Sequence, residues 1–244
     1  MIQTYHRPQT LDEALTLLAQ PNTVPLGGGT LLSARRADSV SVVDLQRLGL
    51  NTLRAAGNDL EIGATVTLQG LLESEHCPAA LKTALKLEAP INIRNSASVA
   101  GTLVASDGRS TFGAVLLALD AKVTVISIQS SVVNVGEFIS LRPRGLITSI
   151  TIPLHAKLAF EFVSRTPADK PILSACLAQW TSGRTRLVLG GWGKSPTLAM
   201  DGTQADDLQS AARNACHEAT DDYASAEYRM DVAATLAKRC AEDF

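Results

Sequence analysis

Two short stretches carry the residues best suited to chemistry. One is Pro25-Leu26-Gly27-Gly28-Gly29-Thr30-Leu31-Leu32, the other Ile93-Arg94-Asn95-Ser96-Ala97-Ser98-Val99-Ala100-Gly101-Thr102. Each puts small residues where a backbone can come close to a phosphate. In such turns oriented N–H groups form anion-binding nests, and only small side chains admit a diphosphate. In the first stretch, three glycines follow a short apolar run and precede a segment, Leu31 to Arg36, that is compatible with a helix. A helix N-terminus pointing back at the loop would favour an anion there. A single glycine loop is weak evidence, because ordinary turns also contain glycine. Two within one domain point to a ligand held from both sides.

Other chemistries find little support. The four cysteines (Cys77, Cys176, Cys216, Cys240) are far apart and form no CxxC pair, which reads as free thiols in a reducing compartment such as the cytoplasm. His6, His76, His155 and His217 show no i, i+4 pairing, so no metal site is expected. No Ser-His-Asp or Cys-His arrangement can be argued from their order. A formal net charge of -2 with a pI near 6.1 gives no basic footprint for nucleic acid. No apolar run approaches the roughly 18 residues of a membrane helix, and the first residues lack a signal-peptide core.

The elements that must position the two loops can be read from periodicity. Thr10-Leu11-Asp12-Glu13 is a capping box that opens a helix with Leu11, Ala14, Leu15, Leu17 and Leu18 as its apolar face. Thr23 to Leu26 and Ser41 to Leu45 read as strands. Leu53 to Ala56 and Leu60 to Ala64 read as a hairpin across Gly57-Asn58-Asp59. Leu68 to Leu72, Ala79 to Leu87 and the apolar Phe112 to Leu119 are helical in pattern. Lys122 to Ile128, Val132-Val133 and Leu146 to Ile152 are strand-like. Regular βαβ alternation is missing, and no Gly-x-Gly-x-x-Gly follows a strand, so a Rossmann fold is not expected. From about residue 156 the pattern changes. Three antiparallel strands (Leu158 to Val163, Ile172 to Trp180, Thr185 to Leu189) precede two helices (Ala205 to Glu218, Ala226 to Cys240). The expected organisation is α+β: residues 1–155, with two subdomains split near 55–60, then a small domain at 156–244.

Taken in order, the two loops and several other phrases resemble the FAD-binding medium subunit of molybdenum hydroxylases. Relatives of that family include the flavin subunit of carbon monoxide dehydrogenase and the flavin domain of xanthine dehydrogenase. The similar phrases are Tyr5-His6-Arg7-Pro8, Leu116 to Ala121, Gly190-Gly191-Trp192-Gly193 with Pro196, and Ser225-Ala226-Glu227-Tyr228-Arg229. The resemblance covers almost the whole chain. It implies a vanillyl-alcohol-oxidase-like (PCMH-type) FAD-binding domain followed by a small domain with a three-stranded antiparallel sheet and helices. It also implies FAD contacts from Leu26, Gly27, Gly28, Gly29, Thr30, Leu31 and Leu32, and from Ser98, Val99, Ala100, Gly101 and Thr102. The isoalloxazine would sit between the domains, near Ile147 and the segment from Arg165 to Asp169.

The chain departs from the family at three positions. Ala100 stands for a common glycine, Thr102 for a common Asn, and Thr111 for an Asp that binds the flavin's sugar-like chain. Asp107 is the other candidate for that last role. Tyr228 and Arg229 are expected to brace the domain interface. The resemblance implies a cytoplasmic heterotrimer. A large subunit would hold molybdenum–pterin and a small one two [2Fe-2S] clusters, with FAD on this chain passing electrons to a nicotinamide, a quinone or oxygen. Two other readings stay open: an assembly subunit of this fold that has lost FAD, and a stand-alone flavin reductase.

Overall fold

A computed structural model describes residues 2–33, 39–127, 129–167, 169–203 and 207–244. Among these residues the strands form three sheets. The first is parallel, with β1 (Ile2–His6), β3 (Val40–Asp44) and β2 (Thr23–Leu26) in that spatial order. Helix α1 (Leu11–Leu18) makes the crossover from β1 to β2, the two strands that flank β3. Thr10 Oγ1 accepts from the Glu13 amide at 3.3 Å, while the Glu13 carboxylate accepts from the Gln9 N–H at 2.9 Å, one residue before the cap. The Tyr5-His6-Arg7 phrase has a structural purpose here. Asp44, 2% exposed at the end of β3, accepts a hydrogen bond from the Tyr5 hydroxyl, lies 3.3 Å from Arg7 Nε, and accepts the Gln46 N–H. That bond to Asp44 is the main reason the Tyr5 hydroxyl titrates above its ordinary value.

The second sheet is antiparallel, ordered β4 (Leu53–Ala56), β5 (Asp59–Gly63), β8 (Leu146–Pro153), β6 (Lys122–Ile126), β7 (Ser130–Asn134). Its central strand β8 pairs Ile150 with both Ile62 and Val123. The first sheet ends at Asp44 and the second begins at Leu53, a few residues ahead of the 55–60 division read from the sequence. Ile128, the expected end of the β6 strand, lies outside the described residues. Helices α2 (Leu68–Glu73), α3 (Ala79–Glu88), α4 (Ile91–Arg94), α5 (Val99–Ala105), α6 (Thr111–Ala118) and α7 (Val135–Leu141) accompany this sheet.

The third sheet runs β12 (Thr197–Gly202), β11 (Thr185–Gly190), β10 (Leu173–Gln179), β9 (Lys157–Val163), all antiparallel. The three strands expected from the sequence are present, and β12 joins them at an edge. Helices α8 (Leu208–Ala215) and α9 (Ala226–Glu242) cover one face. The earlier start expected for α8, at Ala205, lies outside the described residues.

The alternation along β10 shows how the two halves join. Leu173, Ala175 and Leu177 enter the core shared with α8 and α9, whereas Cys176 and Ala178 enter the larger core that contains α6. Every residue of α6 is buried, because α3 packs on one side and β10 and β11 on the other. A helix enclosed on all sides has no polar face, which explains its uninterrupted apolar sequence.

Candidate functional site

The first glycine loop leaves the end of β2, where the Leu26 carbonyl accepts the Leu45 N–H at 3.1 Å. Its glycines answer different physical demands. A Cβ on Gly28 would stand 1.6 Å from the Ser96 carbonyl oxygen, and one on Gly27 would stand 2.5 Å from Ser98 Oγ. The two loops are therefore pressed together, backbone against backbone. Gly29 has φ +70°, a conformation that disfavours any side chain. Among the described residues, the N–H groups from Gly27 to Leu32 find no hydrogen-bond acceptor. A turn at residues 31–33 closes the loop through Ser33 N–H to the Gly29 carbonyl at 3.0 Å. Residues 34–38 of the expected 31–36 helix lie outside the described residues.

The second stretch is built differently. Ser98 caps α5 by accepting the Gly101 N–H at 3.2 Å. The Val99 and Ala100 N–H groups donate to the Val66 and Ala64 carbonyls, and Thr102 N–H donates to the Ser98 carbonyl. Thr102 Oγ1 donates to that same carbonyl at 2.9 Å. The second stretch thus has no spare amides from Val99 to Thr102, contrary to the expectation that both loops would present them. Its contribution is a firm surface and a Ser98 hydroxyl hydrogen that is still free to donate. Arg94 is occupied too, with Nε donating to Gln69 Oε1 at 3.0 Å and a terminal nitrogen to the Ala89 carbonyl at 2.7 Å.

Both loops open onto a cavity of about 510 Å³, within the range usual for ligand pockets. Of the expected residues, Gly28, Gly29, Thr30, Leu31, Leu32, Ser98, Ala100, Gly101, Thr102 and Ile147 line it. Leu26 and Gly27 stand behind the wall, and Val99 is fully buried in the core beneath.

The candidates for the missing Asp do not reach the cavity. Thr111 is 1% exposed, and its hydroxyl meets the Ala84 carbonyl at 2.7 Å and Glu88 Oε2 at 3.2 Å. Asp107 is exposed and folds back to accept the Arg109 N–H at 2.9 Å, an Asx turn. Arg165 and Asp169 pair with one another at 3.7 Å and do not line the cavity, but the next residue, Lys170, does.

Glu88 and Lys170 went unread in the sequence. They are the charged groups of the cavity wall among the described residues, and they meet at 3.3 Å. Glu88 ends α3, and its Oε2 accepts from Ser110 Oγ and the Phe112 amide, both at 2.9 Å, at the start of α6. A carboxylate there is favoured by the helix dipole and the unpaired first-turn amides. The only sequence signal was a lone Glu ahead of Ala89-Pro90, which does not reveal a partner in another element.

Around the site the two halves are fastened by backbone contact. The Gly191 N–H donates to the Gly108 carbonyl at 2.7 Å, and a Cβ on Gly108 would stand 1.6 Å from the Trp192 carbonyl oxygen. Arg229 is fully buried, and its partners (the Ile172, Ala219 and Ala224 carbonyls and Asp221) all belong to the C-terminal half. It therefore braces that half internally, while Tyr228 stays 44% exposed.

FAD fits these residues. The unpaired amides of the first loop suit a diphosphate, glycines leave room where a Cβ would intrude, and the wall is mostly apolar, as a flavin ring requires. Comparisons with known proteins agree. The chain is 25% identical over 274 residues to the carbon monoxide dehydrogenase medium chain of Afipia carboxidovorans, covering 98% of this chain and 95% of the relative. It is 27% identical over 245 residues to the uncharacterized protein YgfM of Escherichia coli K12, covering 97% and 94%. A reconstituted CO dehydrogenase structure from Oligotropha carboxidovorans superposes with a TM-score of 0.82 at 26% identity, over 98% of this chain and 96% of that one. Residues 1–155 match the family described as the FAD binding domain in molybdopterin dehydrogenase. The chain belongs to that family.

Proposed function

We propose that this chain is the medium, FAD-carrying subunit of a molybdenum hydroxylase, passing electrons from partner iron–sulfur clusters to an external acceptor. The first loop supports this most directly: Gly28 to Leu32 line the cavity, and their amides have no acceptor among the described residues. Those N–H groups and the Ser98 hydroxyl would hold the diphosphate. Apolar groups such as Leu45, Leu68 and Ile147 would bury the ring and keep water away from it. The bound flavin would supply one- and two-electron carriage, and the protein its binding, orientation and electrostatic tuning. No side chain need act as acid, base or nucleophile.

The described residues contain no group of three or more His, Cys, Asp or Glu side chains able to hold a metal. Molybdenum–pterin and [2Fe-2S] clusters would be carried by a large and a small partner subunit. A nicotinamide, a quinone or oxygen is the acceptor class. No helix among the described residues is long and apolar enough to cross a membrane.

A second reading, an assembly subunit with weakened FAD binding, draws on one observation: neither Asp107 nor Thr111 reaches the cavity. The visible absorption spectrum of the purified protein, before and after adding FAD, separates the two. The expected result is a flavin spectrum that is released as FAD on denaturation. A folded protein that stays colourless in excess FAD, alone and with its partners, would establish the assembly reading.

A further inference from the structure

Lys170 is the lining residue that the C-terminal half contributes to the cavity, and the wall's cation among the described residues. Its surroundings hold it there. Arg109 donates to the Lys170 carbonyl at 3.1 Å, and Arg109 is itself stacked over the Tyr223 ring at 4.1 Å. The ammonium has three hydrogens and one partner among the described residues, Glu88 Oε1 at 3.3 Å, and the side chain remains 40% exposed. Glu88 cannot follow a moving lysine, because its other oxygen is committed to Ser110, Thr111 and the Phe112 amide. The lysine is thus anchored at its backbone, lightly held at its tip, and has hydrogens to spare toward the cavity.

We propose that the Lys170 ammonium faces the carbonyl-bearing end of the flavin ring and favours the reduced cofactor over the oxidised one. The inference rests on the FAD reading above. Two-electron reduction with one proton added at N5 leaves one extra negative charge, shared by N1 and the C2 carbonyl. A cation near that charge stabilises the reduced form selectively, since the oxidised ring carries none. The diphosphate would be met by amides of the first loop, at the end of β2 in the N-terminal half. Lys170 enters the same cavity from the C-terminal half, which leaves it for the ring end of the cofactor.

The test uses the full chain loaded with FAD. The midpoint potential of the bound flavin is measured by spectroelectrochemistry for the natural protein, Lys170→Met and Lys170→Arg. Binding of oxidised FAD and of ADP is measured in parallel. Lys170→Met is expected to weaken reduced-state binding about tenfold relative to oxidised, which is about 30 mV lower for a two-electron couple. Oxidised FAD and ADP should bind within about twofold of the natural protein, and Lys170→Arg should recover most of the potential. An unchanged potential in Lys170→Met overturns the proposal. So does a matched loss of ADP and FAD affinity, which would place the ammonium at the diphosphate. A natural protein that binds no FAD overturns the functional reading itself, and that result is in hand before any variant is compared.

Discussion

At the scale of single residues, the glycines of the first loop were legible as a motif, but their reasons were not. Gly28 is small because the Ser96 backbone occupies the space its side chain would need, and that neighbour is remote in sequence. Gly28→Ala should force the two loops apart and weaken FAD binding at least about tenfold, with a lowered Tm. Fluorescence titration with FAD and a thermal melt check both effects. Thr111 is the converse case, a position that resemblance points to and geometry removes. Its hydroxyl holds the end of α3 to the start of α6. Thr111→Val should therefore cost about 1–2 kcal/mol of stability by leaving the buried Ala84 carbonyl short of a donor, while FAD affinity stays near its natural value. Denaturant melts and the same titration separate these outcomes, and a large loss of affinity without loss of stability would return Thr111 to the cofactor. Lys170 and Glu88 could not have been read, because a pair from distant elements leaves no periodic trace in a sequence.

At the scale of elements, patterns with a strong period were legible and weakly patterned pieces were not. The capping box of α1, the β4–β5 hairpin and the apolar run of α6 are local features that tertiary packing only reinforced. Strand β1 is mostly exposed and β12 is an edge strand of intermediate burial, so neither carries the alternation that marks a half-buried strand. Helix α5 was read as a loop because its small residues suggested a nest. Packing of elements into the two cores also decides how the cysteines behave. Burial pushes Cys77, Cys216 and Cys240 up to about 12, and it pushes Cys176 well above its ordinary value. A thiolate is the reactive form, so the native protein should give almost no reaction with a thiol reagent near pH 8. After unfolding, all four cysteines should react. A rapid native-state reaction would show that one of the two cores enclosing these thiols opens readily.

At the scale of the whole molecule, the site depends on two halves staying docked, and charge completes what the Gly108–Gly191 contact begins. Asp120, at the end of α6, lies 2.9 Å from both Arg184 and Arg186 of β11 and its turn. Asp201 of β12 closes the network, 2.8 Å from Arg184 and 3.1 Å from Arg186. Its hydrogen bond with Arg184, outweighing partial burial and aided by Arg186, holds the Asp201 carboxyl below its ordinary 3.8. Because the folded value is the lower one, the carboxylate's contribution is complete above the unfolded value and is lost as pH falls through the folded one. Asp201→Asn removes that linkage and leaves the two arginines sharing Asp120. At pH 7 the variant should melt about 2–4 °C below the natural protein. As pH falls below about 4 that gap should narrow, and it should close once pH has passed the folded value, because the natural protein then loses the same charge. Thermal melts across pH 3 to pH 7 decide it, and a gap that persists unchanged at the acid end would mean that Asp201 acts through packing and not through its charge. The result bears on function because Lys170 and the glycine loop belong to opposite halves. Among the described residues Asp201 pairs only with Arg184 and Arg186 of its own half, and Asp120 still crosses to both arginines. FAD should therefore stay bound in Asp201→Asn until the chain itself melts, which flavin fluorescence followed through the same melts checks.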